Sequence, residues 1–181
     1  FEARHLTACG PDRIAAILIR QVGGEEYRQL LEAEEEIREF DILVSPDEYY
    51  LPAPVGFYDL RNARRAPVLT GPEKGSRMLQ GQSILFDPMH NEAIATFPSS
   101  HEVIVFSAKD GRIKRVIHTD KLGLRYPRGI ALHPDGIHYA VSGSWRGIHL
   151  FRRGSHEANI ASTLHSVFFN HSHMTIAARI L

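Results

Sequence analysis

Three arginines and three histidines carry the chemistry this sequence could bring to one place. Arg4, Arg128 and Arg146 offer forked donors that suit carboxylate or phosphate, and His5, His101 and His165 add further polar nitrogens. Trp145, beside Arg146, supplies an aromatic surface, and Gln82 and Ser99 supply neutral hydrogen-bonding groups. The expected ligand-binding set is therefore Arg4, His5, Gln82, Ser99, His101, Arg128, Trp145, Arg146 and His165, and its expected partner is an anionic small molecule or a protein surface. These residues are far apart along the chain, so they form one site only if the fold repeats.

Other chemistries find less support. His171 and His173, two apart, would point the same way on an extended segment, and His165 or Asn170 would complete a metal set. The repeat alignment below sets His171 and His165 on opposite faces, so a metal ion is a candidate and no other cofactor is expected. There is no Gly-x-Ser-x-Gly elbow, no phosphate-cradling glycine loop and no His-Glu-x-x-His; His156-Glu157 lacks its second histidine. A binding protein is thus the expectation. The alternative is a metal-dependent hydrolase or lactonase on the same fold, although Asp87, Asp135 and Asn170 fall in turns.

The elements that must position the set come from an internal repeat. Ser83 to Asp87 with Pro88 leads into Glu92 to Thr96, and Gly129 to His133 with Pro134 leads into His138 to Ser142: apolar strand, polar turn, apolar strand. A third copy starts at Ser166 and runs on to Met174-Thr175-Ile176-Ala177, and a fourth starts at His5 and runs on to Ile14 through Leu18. Starts at 83, 129 and 166 are about 46 and about 37 residues apart, close to one four-stranded propeller blade. The longer gap after His5 has room for two units.

Val103 to Phe106, Ile113 to Ile117 and Ile148 to Phe151 read as further strands, and Asp110-Gly111 as a hairpin turn. Ser83 to Val116 then gives one blade in the order inner, second, third, outer. Glu25 to Phe40 carries Tyr27, Leu30, Leu31, Glu34 and Ile37 at helical spacing, which predicts a short helix inserted at 25–40. Asp41 to Leu51 is a degenerate repeat start spoiled by Pro52 and Pro54, and Ala63 to Gly75 reads as a connection. The expected fold is an all-β single domain over 1–181: a partial β-propeller of about four blades of four-stranded antiparallel sheet, with one inserted helix.

In a propeller the inner strands gather around a channel, so equivalent repeat positions meet there. Arg4-His5, Gln82-Ser83, Arg128-Gly129 and His165-Ser166 would then share one mouth with Ser99-Ser100-His101 and Ser144-Trp145-Arg146.

The bulk numbers agree with a globular chain. Of 181 residues, 43% are hydrophobic and 23% charged, and 21 basic side chains balance 21 acidic ones, so no strong field draws it to nucleic acid. Cys9 is the one cysteine and reads as a small buried hydrophobe. No apolar run is long enough to span a bilayer, and Phe1-Glu2-Ala3-Arg4 shows no signal-peptide pattern, which reads as an internal start after removal of a leader or of further sequence. An open run of blades leaves strand edges, so missing sequence, another chain or a small closed ring using the N-terminal strand is expected to complete it.

Read together, Arg4-His5-Leu6, Pro54-Val55-Gly56-Phe57, Gln82-Ser83-Ile84-Leu85-Phe86-Asp87 and Ile94 to Ser99 resemble the C-terminal half of an uncharacterised bacterial family of periplasmic propellers. The family has WD/YVTN-like repeats and is often encoded beside imelysin-like lipoproteins of iron acquisition. Its Arg-His-Leu strand, Gly-Ser-Ile-Ala strand, Ser-Pro-Arg-Gly turn and terminal Asp-Asn-His match Arg4-His5-Leu6, Gln82 to Leu85, Phe97 to Ser100 and Phe169-Asn170-His171. Gln82 departs from the glycine, and Ser99-Ser100 from Arg-Gly. The resemblance implies a periplasmic location, a link to metal or iron uptake, and no known activity.

Overall fold

The computed structural model describes residues 2–19, 51–62, 64–73, 75–145, 147–164 and 174. Among them the chain is all-β: twelve strands in three four-stranded antiparallel sheets, joined by three short 3-10 turns and no α-helix. The first sheet holds β1 (Glu2–Ala8), β2 (Arg13–Ile19), β3 (Val55–Asp59) and β4 (Val68–Thr70). The second holds β5 (Ser83–Asp87), β6 (Glu92–Phe97), β7 (Glu102–Ser107) and β8 (Ile113–His118). The third holds β9 (Arg125–Leu132), β10 (His138–Trp145), β11 (Ile148–Arg152) and β12 (Ala158–Leu164). Each sheet runs in chain order from its first strand to its fourth, as propeller blades do.

Two apolar cores lie between the sheets, because alternate residues of a strand point to opposite faces. Ala93, Ala95, Phe97, Ile104 and Phe106 meet Ala15, Ile17 and Val55 of the first sheet. Ile94, Val103 and Val105 meet Ile130, Tyr139, Val141 and Phe151 of the third. The second sheet is therefore buried on both faces, which is why β6 and β7 are near-continuous apolar runs. The first strands β1, β5 and β9 run side by side and form the inner wall.

Repeat equivalence extends to single hydrogen bonds. The Thr96 hydroxyl accepts the Ser83 N–H at 3.0 Å, and Ser142, at the same repeat position, accepts the Gly129 N–H at 3.0 Å. Thr96 also donates to the Arg128 carbonyl at 2.6 Å and so ties the second sheet to the third. Thr96→Val keeps the shape, removes both bonds and is expected to cost about 1–3 kcal/mol in a denaturant titration. A loss within the error of the titration would show that this hydroxyl holds nothing together.

Several expectations change. The gap after His5 does not hold two units: β3 and β4 pair onto β2, so residues 20–54 interrupt one blade between its second and third strands. Pro52 makes only an isolated bridge, to Leu79. Ala63 to Gly75 is not merely a connection, because Val68–Thr70 pairs with Val55–Phe57 as a three-residue edge strand between Pro67 and Gly71. Three blades stand among the described residues. The helix at 25–40, residues 41–50 of the degenerate repeat and the copy beginning at Ser166 lie outside them. Met174 alone of that copy is placed, beside Gly129, where an added Cβ would meet its backbone N at 2.7 Å.

Among the described residues the sheets form an open array. Leu6, Ala16, Gly56 and Leu69 line up across one sheet by register, and Leu6 and Leu69 are 63% and 51% exposed. No helix of the described residues is long and apolar enough to cross a membrane.

Candidate functional site

The face carrying the starts of β5 and β9 also carries the β6–β7 turn, which puts Gln82, Ser99 and His101 at the same end of the second sheet. Gln82 precedes β5 and is buried, with its N–H on the Thr96 carbonyl at 2.9 Å. Ser99 lies in the 3-10 turn Pro98–Ser100 and donates to Gln80 Oε1 at 2.8 Å. Arg4 and His5 are on β1, half-buried and already engaged in contacts. Trp145 ends β10, while Arg146, His165, His171 and His173 lie outside the described residues.

The cationic character expected of this mouth is reduced at two positions. Arg128 is not at the strand's start but inside it, because β9 begins at Arg125; it is 5% exposed, and its Nε donates to Ser144 Oγ. His101 has a left-handed backbone (φ 55°) and sits edge-on to Tyr126, with centroids 4.7 Å apart. Its Nδ1 accepts the Tyr126 N–H at 3.1 Å, so protonation there would break that bond. Burial lowers its pKa, with Asp120 opposing, and the ring serves as a neutral acceptor.

Sequence reasoning named Gln82 but missed Met78, Gln80 and Glu102 on the same face. Gln80 is 1% exposed and its Nε2 has no hydrogen-bond partner among the described residues; Gln82 is 5% exposed and its Oε1 has none there either. Met78 and Gln80 both adopt positive φ, 54° and 57°, which side chains with a Cβ rarely take. The buried Glu102 carboxylate holds this segment: it accepts the Arg77 N–H at 3.0 Å, the Met78 N–H at 2.9 Å and the Ser100 hydroxyl at 2.9 Å. Neither glycine nor asparagine marks these turns, so no residue type announced them.

The opposite face, at the β5–β6 turn, holds a second polar cluster. Asp87 is fully buried and receives Arg153 (Nε 3.1 Å from Oδ2, Nη2 on Oδ1), His90 Nδ1 at 2.9 Å and the Met89 N–H at 2.9 Å. Burial alone would raise its pKa, but Arg153 and His90 overcome that and hold the carboxyl down at about 2. Buried Glu92 receives Lys114 Nζ, and its Oε2 lies 3.1 Å from His156 Nε2 without the alignment of a hydrogen bond. His156 Nδ1 lies 3.3 Å from the Tyr139 hydroxyl. Burial lowers the His156 pKa against the pull of Glu92, and burial with Glu92 pushes Tyr139 far up, so that phenol is no nucleophile.

Asp87, His90 and Glu92 bring donor atoms within 4.8 Å of one another, a spacing compatible with a metal ion. They face the neighbouring sheet, not the inner wall. His133 and His138 clasp the exposed Asp135 at 3.1 and 2.6 Å in the β9–β10 turn and hold its pKa down against the effect of burial.

No family model matches this sequence, and no curated protein matches it. Solved structures do. A chain of hydrazine synthase from Kuenenia stuttgartiensis superposes with a TM-score of 0.50 and 15% identity over 86% of this chain and 34% of its own. A chain of a nidogen/laminin complex superposes with a TM-score of 0.51 and 15% identity over 88% of this chain and 47% of its own. This chain therefore spans about a third to a half of the structures it matches, and at that identity what it shares with them is the arrangement of its sheets.

Proposed function

We propose that the protein is a periplasmic binding propeller that holds a small anionic ligand at the mouth shared by its inner strands. The observation that carries this reading is the pair of orphaned amide atoms at the foot of β5, Gln80 Nε2 and Gln82 Oε1. A buried polar group left unpaired costs about 1–3 kcal/mol, and non-glycine residues in left-handed backbone cost of order 1–3 kcal/mol each. Both kinds of cost fall in the segment from Met78 to Gln82. Both atoms are closed off from solvent, so a ligand that brings an acceptor to Gln80 and a donor to Gln82 offsets these costs as the two side chains turn toward the mouth. Hydrogen phosphate carries both, and sulfate at neutral pH carries only acceptors.

The test is calorimetric titration with inorganic phosphate and with sulfate at pH 7.5. Phosphate is expected to bind more tightly, Gln80→Ala to weaken it by about tenfold, and Gln82→Leu to erase the preference over sulfate. Gln82→Leu removes an orphaned acceptor, and Gln80→Ala removes an orphaned donor together with the acceptor of the Ser99 hydroxyl, so each variant's fold is checked by circular dichroism before titration. Absence of phosphate binding, or an affinity unchanged by Gln80→Ala, rejects the reading.

The second reading, a metal-dependent hydrolase or lactonase, draws on Asp87, His90 and Glu92. A divalent ion there must displace Arg153 and Lys114 from the two carboxylates, which weighs against it. Zinc uptake lost in His90→Ala, read by native mass spectrometry, would favour it; no uptake removes it.

A further inference from the structure

We propose that a second site lies on the opposite face, in the cleft between the first and second sheets, and that it takes a small carboxylate whose apolar body is about one ring in size. It stands apart from the mouth reading, since it uses the other ends of the strands. The cleft has a volume of about 180 Å³, comparable to the roughly 150 Å³ cavity that admits one benzene.

Cys9 at the end of β1, Ile14 on β2, Phe57 on β3 and Ala108 after β7 form its apolar floor. Its width is fixed by Arg13, whose Nη1 crosses from the first sheet to the carbonyls of Ala108 and Lys109 at 3.0 and 2.7 Å. Thr70 adds a second crossing, to the Gly111 carbonyl at 2.7 Å. The floor thus belongs to two sheets that cannot slide apart without breaking these bonds.

Charge selects the ligand. The two carboxylates of the lining are already matched: Asp59 by Arg61 at 3.2 Å and Asp110 by Arg112 at 2.9 Å. The side chains of Arg65 and Lys109, also in the lining, have no partner among the described residues. Arg13 directs its Nη1 to two carbonyls, which are neutral acceptors, and acts on Asp59 only through its charge, so it adds to the positive side of the lining. The Cys9 thiol is pushed up to about 11 by burial, so it adds no anion and behaves as part of the apolar floor. A bare phosphate would leave that floor uncovered, and a cation would meet three positive side chains. A carboxylate on a compact apolar body satisfies both the rim and the floor.

The experiment uses benzoate, with benzyl alcohol and benzylamine as neutral and cationic counterparts, read by ligand-observed NMR and by the rate of Cys9 alkylation. Benzoate is expected to bind at least about tenfold more tightly than either counterpart and to slow alkylation. Arg65→Glu combined with Lys109→Glu, both at exposed positions, should abolish that preference, while Gln80→Ala should leave it untouched. Equal binding of benzyl alcohol, benzoate binding indifferent to the double charge reversal, or no benzoate binding overturns the proposal. Loss of phosphate binding at the mouth does not.

Discussion

Asp87→Ala is expected to destabilise the protein by about 3 kcal/mol or more in a urea titration, because it strands a buried guanidinium. Arg153 is 8% exposed at its side chain, and its other bond, from Nη1 to the Gly136 carbonyl at 2.7 Å, keeps it in place after the carboxylate is gone. Arg153→Ala should cost a similar amount for the mirrored reason. The double variant should cost clearly less than the sum, since the second substitution removes the group that the first left unpaired. Additive losses would show that the two residues stabilise the fold separately and that the bridge between the second and third sheets lies elsewhere.

The same pair sets a pH dependence with a defined sign. The Asp87 carboxyl is held at about 2, below its ordinary value of 3.8, so the unfolded chain takes up its proton first as pH falls. Its stabilisation is complete above about 4 and disappears as pH drops toward about 2. Stability of the wild type and of Asp87→Asn should therefore converge across that interval. A gap that stays constant down to pH 2 would mean that the charge of Asp87 is not what the pair contributes.

How much of this was legible beforehand depends on which residues did the work. The second blade could be read strand by strand, because its apolar runs are uninterrupted and Asp110-Gly111 is a hairpin turn with Gly111 at φ 78°. The alignment of Ser83 with Gly129 was good enough to pair Thr96 with Ser142, whose hydroxyls make the same bond. The first blade defeated the spacing argument. A repeat is read along the chain, whereas β3 joins β2 through space across the segment 20–54. Val68-Leu69-Thr70 is too short for a period of two to register, and it is a strand only because Val55, Gly56 and Phe57 offer it an edge.

The positions of Gln82 before β5 and of Ser99 and His101 in the β6–β7 turn were legible, and the character of the groups around them was less so. Arginine is a surface residue by default, yet the start of β9 at Arg125 carried Arg128 inward to Ser144. Histidine is read as a donor or a cation, yet a backbone N–H aimed at Nδ1 makes His101 an acceptor. Such reversals come from backbone geometry, which residue type does not report. The orphaned amides of Gln80 and Gln82 belong to the same class, since their burial follows from two left-handed turns at residues with ordinary side chains.

Glu102 is the point on which that strained segment depends, and Glu102→Ala is expected to cost about 3 kcal/mol. Its carboxylate is 2% exposed and serves two consecutive backbone N–H groups and one hydroxyl, so truncation leaves the fully buried Met78 N–H with nothing to donate to. Bonds to a charged acceptor contribute about 1.5–3 kcal/mol each, and neighbours sharing one acceptor do not simply add. Glu102→Gln keeps one acceptor oxygen but turns an amide NH₂ toward other donors, so an intermediate loss is expected. The local consequence separates this from general weakening: amide exchange at Met78 and Leu79 should accelerate well beyond that of β6 and β7. Phosphate binding at the mouth should fall in parallel, because Gln80 is presented by the backbone that Glu102 holds. If exchange at residues 77–80 stays at the wild-type rate in Glu102→Ala, the segment is held by its contacts with Leu51 and Ala53 instead, and the carboxylate is not its anchor.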